Sequence, residues 1–184
     1  ISDETSAICK ADLLLKGEGA EAENIVGGAD KSTLAADQFK SREFDFMISN
    51  PPYGKSWKTD LERMGGKKEF NDPRFIVSHG GNPEFKLITR SSDGQLMFQV
   101  NKLQKMKRNT PHNKLGSRIA LVHNGSALFT GDAGQGESNI RRWVLENDWL
   151  EAIIALPLNI FYNTGIATYI WVLANNKAEA RRGK

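Results

Sequence analysis

The chain has 184 residues, of which 39% are hydrophobic and 26% are charged, and its formal net charge is +3. This length and composition fit one folded domain with a hydrophobic core and exclude a disordered or low-complexity protein. The longest apolar run, Ala152 to Leu158, is far shorter than the roughly 20 residues of a membrane span, so we expect neither a span nor a secretory leader.

The first half of the chain has three predicted elements. Helical spacing of apolar residues predicts a helix over residues 4–16, with Gly17 as its cap. The short apolar run Asn24 to Val26 predicts a brief strand. Phe44 to Ile48 predicts a buried strand that stops at Asn50-Pro51-Pro52, because consecutive prolines cannot continue a strand ladder.

The second half alternates between strand and helix patterns. Glycine and proline punctuate residues 54–92, which predicts a long loop. The elements predicted after it are a helix over Leu96 to Met106, strands at Arg118 to His123, Leu150 to Leu156 and Thr168 to Leu173, and a helix around Ile140 to Val144. This alternation predicts an α/β fold with a mostly parallel sheet.

Positive charge is concentrated in the middle of the chain. Residues 55–118 contain 14 Lys and Arg against 6 Asp and Glu, whereas the remainder contains 11 against 16. A basic segment with interleaved aromatics is typical of a surface that binds nucleic-acid phosphates, although a solvated basic face is the alternative. The interleaved aromatics are Trp57, Phe70, Phe75 and Phe85. The candidate DNA-backbone contacts are Lys55, Lys58, Lys67, Lys68, Lys105, Lys107 and Arg108.

The tetrapeptide Asn50-Pro51-Pro52-Tyr53 is the strongest candidate site, since ligands of open α/β sheets bind beyond the carboxyl ends of strands. The planar amine of a nucleobase has two N–H donors, which the Asn50 side-chain oxygen and the Pro51 carbonyl can accept. The prolines fix φ and hold these acceptors in place before binding. Tyr53 offers a flat face for an extruded base. A strand exit with a capping Asn50 and a packed Tyr53 is the structural alternative.

Several motifs in fixed order resemble one family. Phe44 to Gly54 resembles the catalytic motif of amino-methylating DNA methyltransferases. Further stretches are similar to the methylation subunit of type I restriction-modification systems: Gly116 to Gly125, Leu128-Phe129, Ile140 to Arg142, Ala155 to Pro157, and Ile160 to Thr168. The resemblance covers about Ala7 to Lys177.

The resemblance implies a Rossmann-like, S-adenosylmethionine-dependent α/β fold that methylates N6 of a flipped adenine in double-stranded DNA. It implies that Asn50, Pro51, Pro52 and Tyr53 are catalytic and that Phe161 stacks on the same base as Tyr53. Asp30, or alternatively Ser32, is expected to contact the cofactor. The implied partners are DNA, a specificity subunit and a restriction subunit.

The glycine-rich F-x-G-x-G loop that holds the cofactor in this family is not found here. The resemblance therefore implies that residues 1–177 are a partial catalytic domain, truncated at the N-terminus, without the first strands and inactive alone. Residues 178–184 are expected to be a basic tail. The family has a proline-containing turn where this chain has His123-Asn124-Gly125, and we expect His123 to be a packing residue.

Two other functions stay open at this stage. One is a stand-alone methyltransferase that acts on an amine of DNA or on a protein glutamine, although the basic segment favours DNA. The other is a catalytically silent DNA-binding or scaffold fragment. The three histidines are scattered without ligand spacing, so no metal is expected. The single cysteine, Cys9, allows no internal disulfide and fits a reducing cytoplasm.

Overall fold

A computed structural model describes residues 2–28, 30–112, 114–162 and 164–184. Ile1 and Asn163, which fall within ranges predicted above, lie outside the described residues. The strands are β1 (Phe46–Ser49), β2 (Ile76–His79), β3 (Asn82–Lys86), β4 (Arg118–Asn124), β5 (Leu150–Ala155) and β6 (Thr168–Ala174). The α-helices are α1 (Asp3–Leu15), α2 (Gly19–Ala22), α3 (Lys58–Arg63), α4 (Gly66–Glu69), α5 (Gln95–Leu103), α6 (Ser126–Phe129) and α7 (Gly136–Glu146).

The main sheet has four strands in the order β1-β4-β6-β5, and β2 and β3 form a separate hairpin. β1 pairs in parallel with β4, whereas β6 is antiparallel to both of its neighbours. The expectation of a mostly parallel sheet is therefore wrong, because only one of the three strand pairings is parallel. The reason is that no helix crosses over between β5 and β6 in the described residues, so β6 must return in the opposite direction. β1, β4 and β5 still point the same way and end at one edge.

One face of this sheet carries the core. Alternate residues of β4 and β6, such as Ile119, Leu121 and Leu173, are fully buried together with Leu96 and Val100 of α5. The period-2 burial of β4 follows from this one-sided packing. The helices predicted near residues 4–16, 96–106 and 140–144 are confirmed, and so are the three strands of the second half.

The strand predicted at Phe44 to Ile48 is present, but only one of its faces is buried. Met47 is 9% exposed, whereas Phe46 is 65% and Ile48 is 86% exposed. The expectation of a fully buried strand is therefore wrong. α5 packs on the face that Met47 shares with Ile119, and the opposite face of β1 stays exposed in the described structure.

Two expectations for the start of the chain are also corrected. The run Asn24 to Val26 is not a strand, because the backbone N–H groups of Asn24 and Ile25 continue the turn that ends α2. α1 forms where it is predicted, but none of its residues is buried. Its N-cap Ser2 accepts a hydrogen bond from the backbone of Thr5, so local capping supports a helix whose apolar stripe faces solvent.

The segment 54–92 is not a structureless loop. It contains α3, α4, a 3-10 turn at Pro73–Phe75 and the β2–β3 hairpin. Trp57, Phe70 and Phe75 are at most 4% exposed, so these aromatics belong to the core and cannot stack on a base. Short elements with irregular spacing between their apolar anchors leave no periodic signal in the sequence.

The expected basic tail is attached to the sheet. The Arg181 guanidinium donates to the carbonyl oxygen of Glu151 at 2.8 Å. Lys177 is buried and pairs with Asp148, whose carboxylate also accepts from the backbone N–H of Gly183. These contacts make residues 178–184 part of the domain surface next to β5.

A buried ion pair fixes the segment before β1 to the end of α5. The Lys105 ammonium lies 2.6 Å from a carboxylate oxygen of Asp37 and 2.6 Å from the carbonyl oxygen of Phe39. Burial opposes ionisation of Asp37, but the hydrogen bonds from Lys105 and the Phe39 backbone outweigh it, and the pKa of Asp37 lies below its usual value. Arg74 adds a hydrogen bond to the carbonyl oxygen of Leu34.

We predict that Lys105→Met lowers the free energy of unfolding by about 3 kcal/mol, because it leaves the Asp37 carboxylate buried without its main partner. Lys107→Met is the matched control. Lys107 pairs with Asp45 at 2.6 Å, but both side chains are more than a third exposed, so the cost should stay below about 1 kcal/mol. Urea unfolding of both variants measures the difference, and equal losses would contradict the assignment.

Candidate active site

The two prolines create a notch at the carboxyl edge of the sheet. The last residue pair of β1 and β4 is Ser49 with Leu121, whereas β4 continues to Asn124. Because proline has no N–H to donate, β1 leaves the ladder three residues before its neighbour ends, a depth of about 10 Å. The backbone turns away at the mouth of this notch, where the predicted tetrapeptide begins.

The tetrapeptide presents its polar group outward. Asn50 is exposed, Pro51 is buried and Tyr53 is half-buried. Among the described residues the side-chain amide of Asn50 has no hydrogen-bond partner, so both of its ends are available to a ligand. Pro51 is held in the interior, which fixes the position of its carbonyl group relative to Asn50.

The loop that follows is anchored by Trp57. Its backbone N–H donates to the carbonyl oxygen of Ser91 at 2.9 Å, and its indole Nε1–H donates to that of Arg90 at 2.9 Å. The indole ring packs so closely on Gly94 that a Cβ atom there would lie 3.0 Å from Cδ1. Gly94 returns a hydrogen bond from its N–H to the carbonyl oxygen of Lys55 at 3.3 Å.

A buried polar network joins this anchor to the end of β4. The centre of the network is Gln95, which is 3% exposed. Its side-chain NH₂ lies 2.8 Å from Asp93 Oδ2, 2.8 Å from Asn124 Oδ1 and 3.1 Å from Ser126 Oγ. Its Oε1 accepts from the backbone N–H of Asn124 at 3.2 Å. The turn at residues 93–95, the end of β4 and the start of α6 are therefore joined through the Gln95 side chain.

His123 is buried in the same network and is neutral. Burial and, to a smaller extent, the positive charge of Lys102 lower the pKa of His123 from 6.5 to about 3. Its Nδ1 lies 3.1 Å from Gln95 Oε1 and its Nε2 lies 2.9 Å from Gln99 Oε1. A neutral imidazole carries a single N–H, so it donates to one of these two amide oxygens. His123 is a packing and hydrogen-bonding residue, as expected.

Phe161 lies at the same edge of the sheet as the tetrapeptide. It is half-buried in the connection from β5 to β6, and the Gly125 backbone N–H donates to Ala167 at the end of that connection. Two strands stand between β1 and β5, which corresponds to about 14 Å. Phe161 and Tyr53 can meet on one base only if the connection reaches back across β4 and β6.

The expected cofactor contact lies on the other side of β1. Asp30 is exposed in a turn, and Ser32 accepts hydrogen bonds from the backbone of Leu34 and Ala35. The neighbouring Lys31 lines a cavity of about 350 Å³ together with Phe46. Asp30 and Ser32 therefore lie in a segment next to β1.

The Lys and Arg side chains that are expected to contact the DNA backbone differ in how far they are buried or paired. Lys105 is in the interior with Asp37, so its ammonium cannot contact a phosphate, and the expectation that it contacts the DNA backbone is wrong. Lys107 is paired with Asp45. The remaining candidates have exposed side chains; they are Lys55, Lys58, Lys67, Lys68 and Arg108.

The described ranges contain neither a group of metal ligands nor a membrane-spanning helix. No three His, Cys, Asp or Glu side chains there are grouped so that they could bind a metal ion. In the same ranges, every helix is too short or too polar to span a lipid bilayer.

Sequence reasoning missed the residues that support the tetrapeptide. It assigned Trp57 to the nucleic-acid surface and gave no role to Asp93 or Gln95. A Trp five residues after the Pro-Pro pair was a usable signal, because Trp is highly buried on average. Asp93-Gly94-Gln95 had the composition of an ordinary turn, so its burial was not visible in the sequence.

Comparison with known proteins fits this site. The sequence profile of the N-6 DNA Methylase family matches residues 1–184. The type I restriction enzyme MjaVII methylase subunit of Methanocaldococcus jannaschii is 30% identical, and the match covers 96% of this chain and 27% of that protein. The chain belongs to the N-6 DNA methylase family.

Solved structures share the fold. The type I restriction-modification methyltransferase subunit of Streptococcus thermophilus matches with a TM-score of 0.69 and 27% identity, over 97% of this chain and 33% of that one. The EcoKI M protein matches with a TM-score of 0.58 and 20% identity, over 100% of this chain and 32% of that one. These matches confirm the expected methyltransferase fold. The chain spans about a third or less of the proteins that it resembles.

We predict that acid destabilises the chain through His123. The unfolded state takes up a proton near the ordinary pKa of 6.5 and the folded state only near 3, so stability is lost as the pH falls through this range. Between about pH 6.5 and 4.5 the loss should be about 2 kcal/mol. Urea unfolding at these pH values measures it, and His123→Gln should remove the slope. A wild-type stability that is flat over this range would contradict a neutral, buried His123.

Proposed function

We propose that this chain is the part of a type I modification subunit that binds the target adenine and directs methylation to its N6 atom. The observation that supports the proposal is the exposed, unpartnered Asn50 amide at the mouth of the notch, next to the buried Pro51. The family match gives this geometry its chemistry.

The acceptors determine how the base is bound. An adenine amine offers two N–H groups, and in this proposal the Asn50 side-chain oxygen and the Pro51 carbonyl each accept one. Both hydrogen bonds draw electron density toward the nitrogen and direct its lone pair out of the ring plane, which favours attack on a methyl carbon. The amine would give one proton to water as the N–C bond forms and the methyl–sulfur bond of the donor breaks, so no side-chain base would be required. Tyr53 and Phe161 would hold the flipped ring from two sides.

S-adenosylmethionine is the methyl donor in this proposal. Asp30 is the polar contact that we propose for it among the described residues, next to the cavity beside β1. The tetrapeptide lies at the end of the same strand, so one short strand connects the two binding functions. The proposed partners are double-stranded DNA, a specificity subunit that selects the sequence and a restriction subunit.

We predict that Asn50→Ala lowers methylation by about 100-fold or more, because one of the two acceptors is lost, while affinity for DNA changes little. The assay uses the complete subunit with its specificity subunit and follows transfer of labelled methyl groups to DNA. Asn82→Ala, at an exposed position in the separate β2–β3 hairpin, is the control and should keep full activity. Methylation by Asn50→Ala at the wild-type rate would contradict the acceptor role. Labelling of protein instead of DNA would favour the glutamine alternative.

We predict that replacing Lys67 and Lys68 by Gln weakens binding to DNA and flattens its dependence on salt. If both side chains contact phosphates, the slope of log K against log salt should fall by about 1.8. Replacing Lys10 and Lys16 of the α1 region by Gln removes the same charge and should leave the slope unchanged. Equal slopes for the two double variants would remove these lysines from the interface.

A further inference from the structure

We propose that Gln95 is a positioning residue that sets the geometry of the Asn50–Tyr53 acceptors through the buried network around it. The inference rests on the proposed function, which names the acceptors. Gln95 is remote in sequence from Asn50 and does not touch the ligand position. Its influence would pass through the segments that it binds.

The first step of the argument is the connection between Gln95 and the loop after the tetrapeptide. Asp93 accepts from the Gln95 backbone N–H at 3.1 Å and from its side-chain NH₂ at 2.8 Å, which fixes the turn at residues 93–95. Within this turn Gly94 donates to the Lys55 carbonyl oxygen and packs against Trp57. The loop that leaves the prolines therefore rests on a turn whose shape Gln95 holds.

The second step is the connection to the opposite wall of the notch. The same side chain bonds Asn124 through both ends of its amide, to the backbone N–H and to Oδ1. Asn124 Oδ1 also accepts from the backbone N–H of Ser126 at 3.1 Å, so the end of β4 is fixed in turn. Gln95 thus links the turn that supports the loop after the prolines to the end of β4, the strand that pairs with the residue before Asn50.

The third step is the chemistry that only an amide supplies here. The side chain must donate at one end, toward Asp93 and Asn124, and accept at the other, from the backbone N–H of Asn124. A carboxylate of the same shape keeps the accepting end but places negative charge 2.8 Å from Asp93. Repulsion at that point should push the turn and the loop after the prolines apart.

The test uses Gln95→Glu in the complete subunit with its specificity subunit. We expect kcat to fall up to about 100-fold while KM for DNA stays within about twofold, because misplaced acceptors affect the reacting geometry more than binding. A duplex with 2-aminopurine at the mapped target adenine should show a reduced fluorescence rise on binding, since the flipped base is held less well. Gln104→Glu, the same change at an exposed position after α5, is the matched control and should behave as wild type.

Two further readouts separate positioning from stability. Two carboxylates at one site raise the pKa of one of them, so activity of Gln95→Glu should recover as the pH is lowered and that group gains a proton to donate. Adding Asp93→Asn supplies a donor to the carboxylate at residue 95, which still has none for Asn124 Oδ1, so kcat should recover in part, to within about tenfold of wild type. The circular dichroism spectrum of each variant shows whether it is folded.

The outcomes are decisive in each case. A folded Gln95→Glu with wild-type kcat and fluorescence overturns the inference. If Gln95→Glu does not fold, the double variant decides: recovered folding with recovered methylation supports positioning, and recovered folding without methylation, or no folding at all, overturns it. If the unmodified assembly methylates no adenine, the proposed function itself fails. Loss of activity in Asn50→Ala but not in Gln95→Glu overturns the positioning role alone.

Discussion

The structure depends on a missing pair of hydrogen-bond donors. Pro51 and Pro52 cannot extend the parallel ladder between β1 and β4, so β1 has to leave the sheet while its neighbour continues. The resulting notch lies beside the last three residues of β4. If residues 51 and 52 had backbone N–H groups, β1 could continue its pairing with β4 toward the end of that strand. The site thus begins as a limit on strand pairing, before any side chain takes part.

Several basic side chains of residues 55–118 form ion pairs within the domain. Lys105 pairs with the buried Asp37, Arg74 pairs with the partly buried Asp72, and Arg118 pairs with Glu151 across the sheet. Part of the positive charge is thus neutralised within the domain. The positive excess that reaches the surface is therefore smaller than the count in residues 55–118.

The sequence allowed prediction of the elements with regular patterns and of the tetrapeptide. Leu96 to Met106 and the three later strands have clear periodicity, and the Pro-Pro pair marked the strand end by simple covalent chemistry. It did not allow prediction of which face of β1 is buried, because Phe46 and Ile48 are as apolar as any core residue. It also missed the network around Gln95, since hydrogen bonds between segments remote in sequence leave no local pattern. Periodicity and proline chemistry could be recognised in the sequence, whereas hydrogen bonds between segments remote in sequence could not.

The strand order has a consequence for how the domain forms. β5 and β6 are joined by a short connection and pair as a hairpin, and α7 leads directly into them. Pairing of β1 with β4 instead closes the loop formed by residues 50–117, and such long closures cost more entropy and form later. The edge that bears Asn50 is thus expected to assemble last, on a half-domain that is already in place. A nascent or partly unfolded chain would retain the β5–β6 half while it lacks any competent site, so incompletely folded molecules would not methylate DNA.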